Sequence, residues 1–396
     1  MSEWNTVKLA DAPLEILDGD RGKNYPSQDE FSDYGYCLFL STKNVRSIGF
    51  DFSECQFVSK VRDELLRKGR LQRNDVVLTT RGTVGNLGFF NDKVGYEKIR
   101  INSGMVIIRP DESKLFPAFN FYTFRKLQSD FLTFTSGSAQ PQLPIRDLKE
   151  IEISIPPLEE QKAIASVLSS LDDKIDLLHR QNNTLERMAE TLFRQWFVEE
   201  AQEDWEEVKL GDFIEINKKS INKTYPFNQI EYLDTGSLTE GKVDSLQSYM
   251  INEAPSRALR LVEHNDVLIS TVRPNQKHYG IINNPIENLV VSSGFCVLTC
   301  TKISPHFVYL LLTNNEMTEY LHSIAEGSTS TYPSLKPSDI AAITFQLPPN
   351  QKLADFAKIA NDSWDKIHKN YKQIQTLEKL RDNLLPKLMS GEVRVI

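Results

Sequence analysis

The longest hydrophobic pattern in the chain runs from Pro156 to Phe197. Ile164, Leu168, Leu171, Ile175, Leu178, Leu185, Ala189, Leu192 and Trp196 recur at steps of three, four or seven residues. That spacing draws one apolar seam along a helix, broken by a single polar position, Asn182. At 1.5 Å per residue, such a helix reaches roughly 60 Å and needs a partner along its length. It carries too many charges to cross a membrane. From Pro348 a second seam follows: Phe356, Ala360, Ile367, Ile374, Leu377, Leu384 and Leu388, weakened by Ser363 and Asn370. The second stretch aligns with the first at an offset of 192 residues, which carries Pro156-Pro157 onto Pro348-Pro349 and Thr184-Leu185-Glu186 onto Thr376-Leu377-Glu378. The two helices, 159–198 and 351–390, are expected to pair antiparallel as a coiled coil within one chain.

The repeat extends to the whole sequence. Trp4-Asn5-Thr6-Val7-Lys8-Leu9-Ala10-Asp11 is answered by Trp205-Glu206-Glu207-Val208-Lys209-Leu210-Gly211-Asp212. Two tandem units are therefore predicted, each a globular part followed by a long helix. The expected boundaries are 1–155 for the first globular domain, 156–200 for the central helix, 201–346 for the second domain, and 347–396 for the last helix and tail. In the first unit, strands are predicted at Tyr36–Leu40, Asp75–Thr79, Ile101–Ile108 and Ile151–Ile155, with helices within Val58–Asp75 and at Phe116–Leu127. In the second, Asp266–Gly280 stands for the Asp75 strand and loop, Val290–Leu298 for Ile101–Ile108, and Glu326–Leu335 for the Gly-Ser-rich loop Thr133–Pro144. Mixed strand and helix signals give an α+β fold class: two mixed α/β domains joined by two long antiparallel helices, with a pseudo-twofold repeat.

A length of 396 residues accommodates two to three domains, and 40% hydrophobic with 25% charged residues is an ordinary globular balance. Four cysteines without a CxxC pair read as free thiols of a reducing compartment, and the start of the chain reads as lacking a signal peptide, so a cytoplasmic protein is expected. The six histidines are scattered singly, so no metal site is predicted. Gly82–Gly88 has glycine spacing but no Gly-Lys-Ser/Thr, and no Ser-His-Asp or Cys-His signature occurs. No cofactor and no catalytic residue are assigned.

The net charge of −8 is unevenly spread. Between Phe57 and Arg100, ten basic residues face five acidic ones, so the rest of the chain is strongly acidic. A local basic patch of this kind suits phosphate binding. Arg62, Arg67, Lys68, Arg70 and Arg73 are the candidates for phosphate positioning. Residues 215–280 hold eight bases against eight acids, so a second patch is less visible. Base reading requires forked donors and acceptors on defined loops. Arg81 and Thr83 occupy one such loop, and Gln140 and Gln142 a second. In the second unit Arg273, Gln276 and Lys277 occupy the first loop and Tyr332 the second. Phe193, Trp196 and Phe197, near one end of the central helix, are candidates for binding a protein partner.

The segments GSAQPQLPIRDLKEIEISIPPLEEQKAIASVLSSLDDKID (137–176) and LEKLRDNLLPKLMSGEVRV (377–395), the WxxVKLxD starts and DVVLTTRGTVG resemble the specificity subunit of type I restriction-modification systems, the HsdS family. The resemblance covers essentially the whole chain. It implies two target-recognition domains separated by two long helices, each reading one half of a split, asymmetric site in double-stranded DNA. It further implies two methylation subunits that carry adenine-N6 methyl transfer, two restriction subunits that translocate DNA, no membrane association and no catalysis by this chain. Two other readings are consistent with the repeat: the recognition subunit of a fused restriction-methylation system outside type I, and a coiled-coil scaffold that does not recognise DNA. The scaffold leaves the basic patch and the divergent loops unexplained.

Overall fold

A computed structural model describes residues 4–47, 49–135, 141–328 and 332–395. The chain forms two compact units. Unit 1 comprises 1–177 and 374–396; unit 2 comprises 178–373. Each unit holds one globular domain and one half of each long helix.

In unit 1 the entering strand Asn5–Lys8 pairs antiparallel with the leaving strand Glu152–Ile155, so the domain closes on itself before the central helix begins. Between them lies an antiparallel sheet in the order Leu14–Asp18, Met105–Pro110, Val76–Thr79, Leu87–Phe89. A second sheet has the order Phe57–Val58, Cys37–Leu40, Ile99–Ile101, and its last two strands run parallel. The strand Val76–Thr79 is buried at every position, which explains its unbroken apolar sequence. Val77 and Ile107 face Leu38, Leu40, Ile99 and Ile101 of the second sheet. Val76, Leu78, Val106 and Ile108 face Phe124 of the helix Pro117–Lys126 and Phe131. A strand covered on both faces has no polar side to show.

Unit 2 repeats the plan. Glu206–Lys209 pairs with Thr344–Leu347. One sheet orders Ile214–Ile216, Phe295–Cys300, Val267–Ser270, Tyr279–Ile281. The other orders Gln247–Met250, Gln229–Leu233, Leu289–Ser292, Ala258–Leu261, with its central two strands parallel. Unit 2 also contains the helix Asn315–Glu326, capped by the Asn314 side chain, which accepts from the Met317 N–H.

One expectation is corrected in both units. Ile101–Ile108 is two strands rather than one, Ile99–Ile101 and Met105–Pro110, belonging to different sheets. The chain breaks at Asn102-Ser103-Gly104, where the Asn102 Oδ1 accepts from the Gly104 N–H at 2.9 Å. Gly104 is packed so closely that a Cβ there would lie 2.9 Å from Thr42 Cγ2. Val290–Leu298 divides in the same way, into Leu289–Ser292 and Phe295–Cys300, at Ser293-Gly294.

The central helix spans Leu158–Arg194 and continues as one wide turn over Gln195–Glu199; the C-terminal helix spans Asn350–Ser390. They pack antiparallel. In unit 1, Ile164, Ala165 and Leu168 meet Leu385, Leu388 and Met389. In unit 2, Ala189, Phe193 and Phe197 meet Phe356, Ala360, Trp364 and Ile367. Within unit 1, Arg381 donates to Asp172 Oδ1 at 3.0 Å, and Tyr122 and Arg125 of the domain donate to Asp172 Oδ2 at 2.8 and 2.9 Å. That carboxylate ties the domain to both helices. No helix among the described residues is long and apolar enough to cross a membrane.

Candidate nucleic-acid interface

The site grows from the end of the buried strand Val76–Thr79. Its last hydrogen bond leads into Thr80, whose N–H and Oγ1 both donate to the Gly104 carbonyl, at 2.8 and 3.2 Å. The Thr80 carbonyl accepts from the Leu143 N–H at 3.0 Å. One threonine thus holds two loops together, and Arg81 pairs with Gln142 in an isolated antiparallel bridge beside it. Thr42 lies against Gly104 on the third side. The loop bearing Thr42 and Lys43 is fixed by the buried Asn44, whose Oδ1 accepts from the Ser41 N–H and whose Nδ2 donates to the Asp51 and Glu54 carbonyls.

Unit 2 builds the same clamp. The Thr271 N–H and Oγ1 donate to the Gly294 carbonyl, each at 2.8 Å, and the Thr271 carbonyl accepts from the Leu335 N–H at 2.7 Å. Val272 bridges Ser334, and Thr235 takes the place of Thr42. The frame is repeated while the exposed side chains differ. Unit 1 displays Lys43, Arg81, Thr83 and Gln142; unit 2 displays Arg273, Gln276 and Tyr332.

The loops also differ in backbone strain. Unit 1 places glycines in the left-handed region, Gly82 at φ 74° and Gly85 at φ 96°. Unit 2 uses Arg273 at φ 48° and Lys277 at φ 57°, on either side of the turn Pro274–Gln276. Non-glycine residues held there cost free energy and concentrate where a side chain must be aimed. Arg273 is anchored by its N–H to the Pro333 carbonyl at 3.0 Å, and its guanidinium sits 4.9 Å from the Tyr332 ring centroid. Lys277 is paired with Glu240 at 3.2 Å. Gln140 lies outside the described residues.

The five phosphate candidates separate into two groups. Arg62 is ion-paired with Glu30 and donates to the Asn24 carbonyl. Arg70 is ion-paired with the fully buried Asp63, which also holds Arg100. Arg73 donates to the carbonyls of Asn91, Val94 and Tyr96 and lies over the Phe90 ring. These three guanidiniums fasten the domain together, so of the five candidates for phosphate positioning they already have partners within the domain. Arg67 and Lys68 remain exposed, with no side-chain partner among the described residues. Their backbone N–H groups bond Asp20, whose neighbour Gly19 abuts Asn102 and Ser103. The two free cations therefore stand beside the same turn that Thr80 clamps.

A family profile described as the type I restriction modification DNA specificity domain matches residues 1–187 and 202–381. The chain belongs to this specificity-subunit family. The MjaIX specificity subunit of Methanocaldococcus jannaschii is 28% identical over 353 residues, covering 82% of this chain and 78% of that protein. The MjaVIII specificity subunit of the same organism is 24% identical, covering 99% of this chain and 93% of that one. A crystal structure of the type I system S subunit from M. genitalium superposes with a TM-score of 0.60 at 16% identity, covering 98% of this chain and 96% of that one, which shows the shared fold. A specificity subunit is the non-catalytic DNA-recognition component of a type I complex and works with methylation and restriction subunits. Among the described residues of this one, no cluster of three or more His, Cys, Asp or Glu is placed to hold a metal ion.

The aromatic trio expected to meet a protein partner is placed differently. Phe193 and Phe197 are buried in the unit 2 core, in tilted and edge-to-face contact with Phe307 and Phe356, with Trp196 partly buried beside them. The helix end is apolar because it seats the domain; Phe193 and Phe197 offer little surface for another subunit, while Trp196 keeps part of its ring exposed.

Proposed function

We propose that each unit of this specificity subunit reads one half of a bipartite, asymmetric DNA site. Unit 1 reads with Arg81, Thr83 and Gln142, joined by Lys43; unit 2 reads with Arg273 and Gln276, with Tyr332 supporting Arg273. The observation that carries this reading is the repeated threonine–glycine clamp dressed with different exposed side chains. A common frame gives both units the same way of meeting a groove, and different donors and acceptors give them different sequences. Arg67 and Lys68 neutralise backbone phosphates and carry no sequence information. Two methylation subunits, supplying adenine-N6 methyl transfer, and two restriction subunits complete the assembly in the cytoplasm.

The test exchanges residues 1–155 for the matching domain of another specificity subunit and maps adenine methylation after co-expression with the methylation partner. One half of the methylated motif should change and the other persist. If both halves change together, the units do not read independently. If neither changes, the globular domains are not the reading elements.

A further inference from the structure

Resting on that reading, we propose that Arg257 is a DNA backbone-phosphate contact of unit 2, the repeat counterpart of Arg67 in unit 1.

The argument starts from the clamped turn. In unit 1 the Ile101 N–H donates to the Gly69 carbonyl and the Leu71 N–H to the Ile99 carbonyl, both at 2.9 Å. The chain just before Gly69, with Arg67 and Lys68, therefore runs alongside Asn102-Ser103. In unit 2 the strand Ala258–Leu261 runs alongside Leu289–Ser292 in the same sense, with Leu261 opposite Val290 and Arg260 opposite Val291. The register shifts between Ala258 and Arg260, a bulge of one residue. That shift brings Arg257 to the turn, where its carbonyl accepts from the Ser293 N–H at 2.7 Å. Ser293 precedes Gly294, the residue gripped by Thr271, and Arg273 lies two residues beyond Thr271. Arg257 and the base-reading candidate Arg273 are thus fixed to one turn, as Arg67 and Arg81 are in unit 1.

The neighbouring bases of unit 2 are engaged elsewhere. Lys218 pairs with Glu215, Lys219 with Glu263 and Lys277 with Glu240, while Arg260 donates to Ser220 Oγ. Arg257 is exposed, and its side chain has no hydrogen-bond or ion-pair partner among the described residues. Eight bases against eight acids in 215–280 cancel in a charge count, which makes a second patch less visible. Pairing consumes several charges of both signs and leaves one unengaged cation at the turn that matters. An arginine whose backbone is already ordered and whose guanidinium is unengaged is suited to a phosphate, since its forked donors have no internal partner to give up on binding.

The experiment uses the full chain assembled with its methylation subunits and a duplex carrying the methylated site. Binding is measured between 50 and 200 mM salt, alongside methylation mapping. Arg257→Gln should lower the slope of log K against log salt by about 0.9, so that this salt increase costs the unmodified complex about 3.5-fold more affinity than the variant. Arg257→Lys should keep the slope, and the methylated motif should be the same in all three. An unchanged slope in Arg257→Gln overturns the assignment. So does a relaxed base in the motif, which would make Arg257 a base reader. Failure of the domain exchange described above is a separate result, because it is read from the motif rather than from the salt slope.

Discussion

Asn370 of the C-terminal helix donates its Nδ2 to the Oδ1 of Asn182 on the central helix at 2.8 Å, with both residues almost wholly buried. A second bond from the same Nδ2 reaches Gln181 Oε1 at 2.9 Å. Two of the positions that interrupt the apolar seams of unit 2, Asn182 and Asn370, thus interrupt them together. A buried amide pair costs stability relative to leucine and penalises any register in which one amide faces an apolar residue.

Replacing only one of the pair, Asn182→Leu or Asn370→Leu, should destabilise the chain by about 1–3 kcal/mol, because the remaining amide loses a hydrogen-bond partner in an apolar seam. The double variant should recover most of that loss. Denaturant unfolding of the three variants measures the coupling, and simple additivity would show that the two amides do not act as a pair.

Asp172 gathers Tyr122, Arg125 and Arg381 within unit 1. Asp172→Ala should lower stability by about 1–3 kcal/mol, since partly buried donors are left without an acceptor. Asp172→Asn should recover part of it. Thermal unfolding checks this, and equal losses for the two variants would show that packing rather than hydrogen bonding is responsible.

Acid should weaken unit 2. His306 is buried against the Trp364 ring, and burial lowers its pKa to about 4, opposed in part by Asn361 and Asp365 and reinforced by His368 and His264. Unfolded, a histidine titrates near 6.5. Above that value both states are neutral and the stability is fully present. As pH falls from 6.5 towards 4, only the unfolded chain takes the proton, so stability is lost over that window, by about 2 kcal/mol at pH 5. His368, also lowered to about 4 by burial, adds to the same fall. His306→Leu should flatten the decline between pH 7 and 5 without abolishing it. An identical decline in the variant would assign the effect elsewhere.

Arg67 and Arg70 should behave in opposite ways although they lie three residues apart. Arg67→Ala should leave stability nearly unchanged and reduce the salt dependence of DNA binding. Arg70→Ala should reduce stability, because the buried Asp63 loses one of its two cations. Paired unfolding and binding measurements decide it, and a salt-slope change in Arg70→Ala alone would reverse the assignment.

Base reading has a different signature. Arg81→Ala should cost about 1–3 kcal/mol of discrimination and relax one position in the half-site read by unit 1, and Arg273→Ala should do so in the other half. Methylation mapping reports both. Uniform weakening with an intact motif would place these arginines on phosphates.

The sequence by itself determined the internal repeat, the two long helices and their pairing, and the buried strands. Each rests on local periodicity or on a recurrence such as Pro156-Pro157 with Pro348-Pro349, and local pattern is what backbone geometry imposes on a chain. It also held the resemblance that named the family. Tertiary structure alone decided which charges are available. Arg62, Arg67, Lys68, Arg70 and Arg73 look alike in a charge count, yet Glu30, Asp63 and a set of carbonyls claim three of them, and apart from Asp63 those partners lie far away in sequence. It alone decided that Phe193 and Phe197 seat a domain, because their contacts come from Phe307 and Phe356. It alone split Ile101–Ile108, because the break is set by Thr42 and Thr80 closing on Gly104. Pairing across long sequence separations leaves no periodic trace, and whether a side chain is engaged or available depends on that pairing.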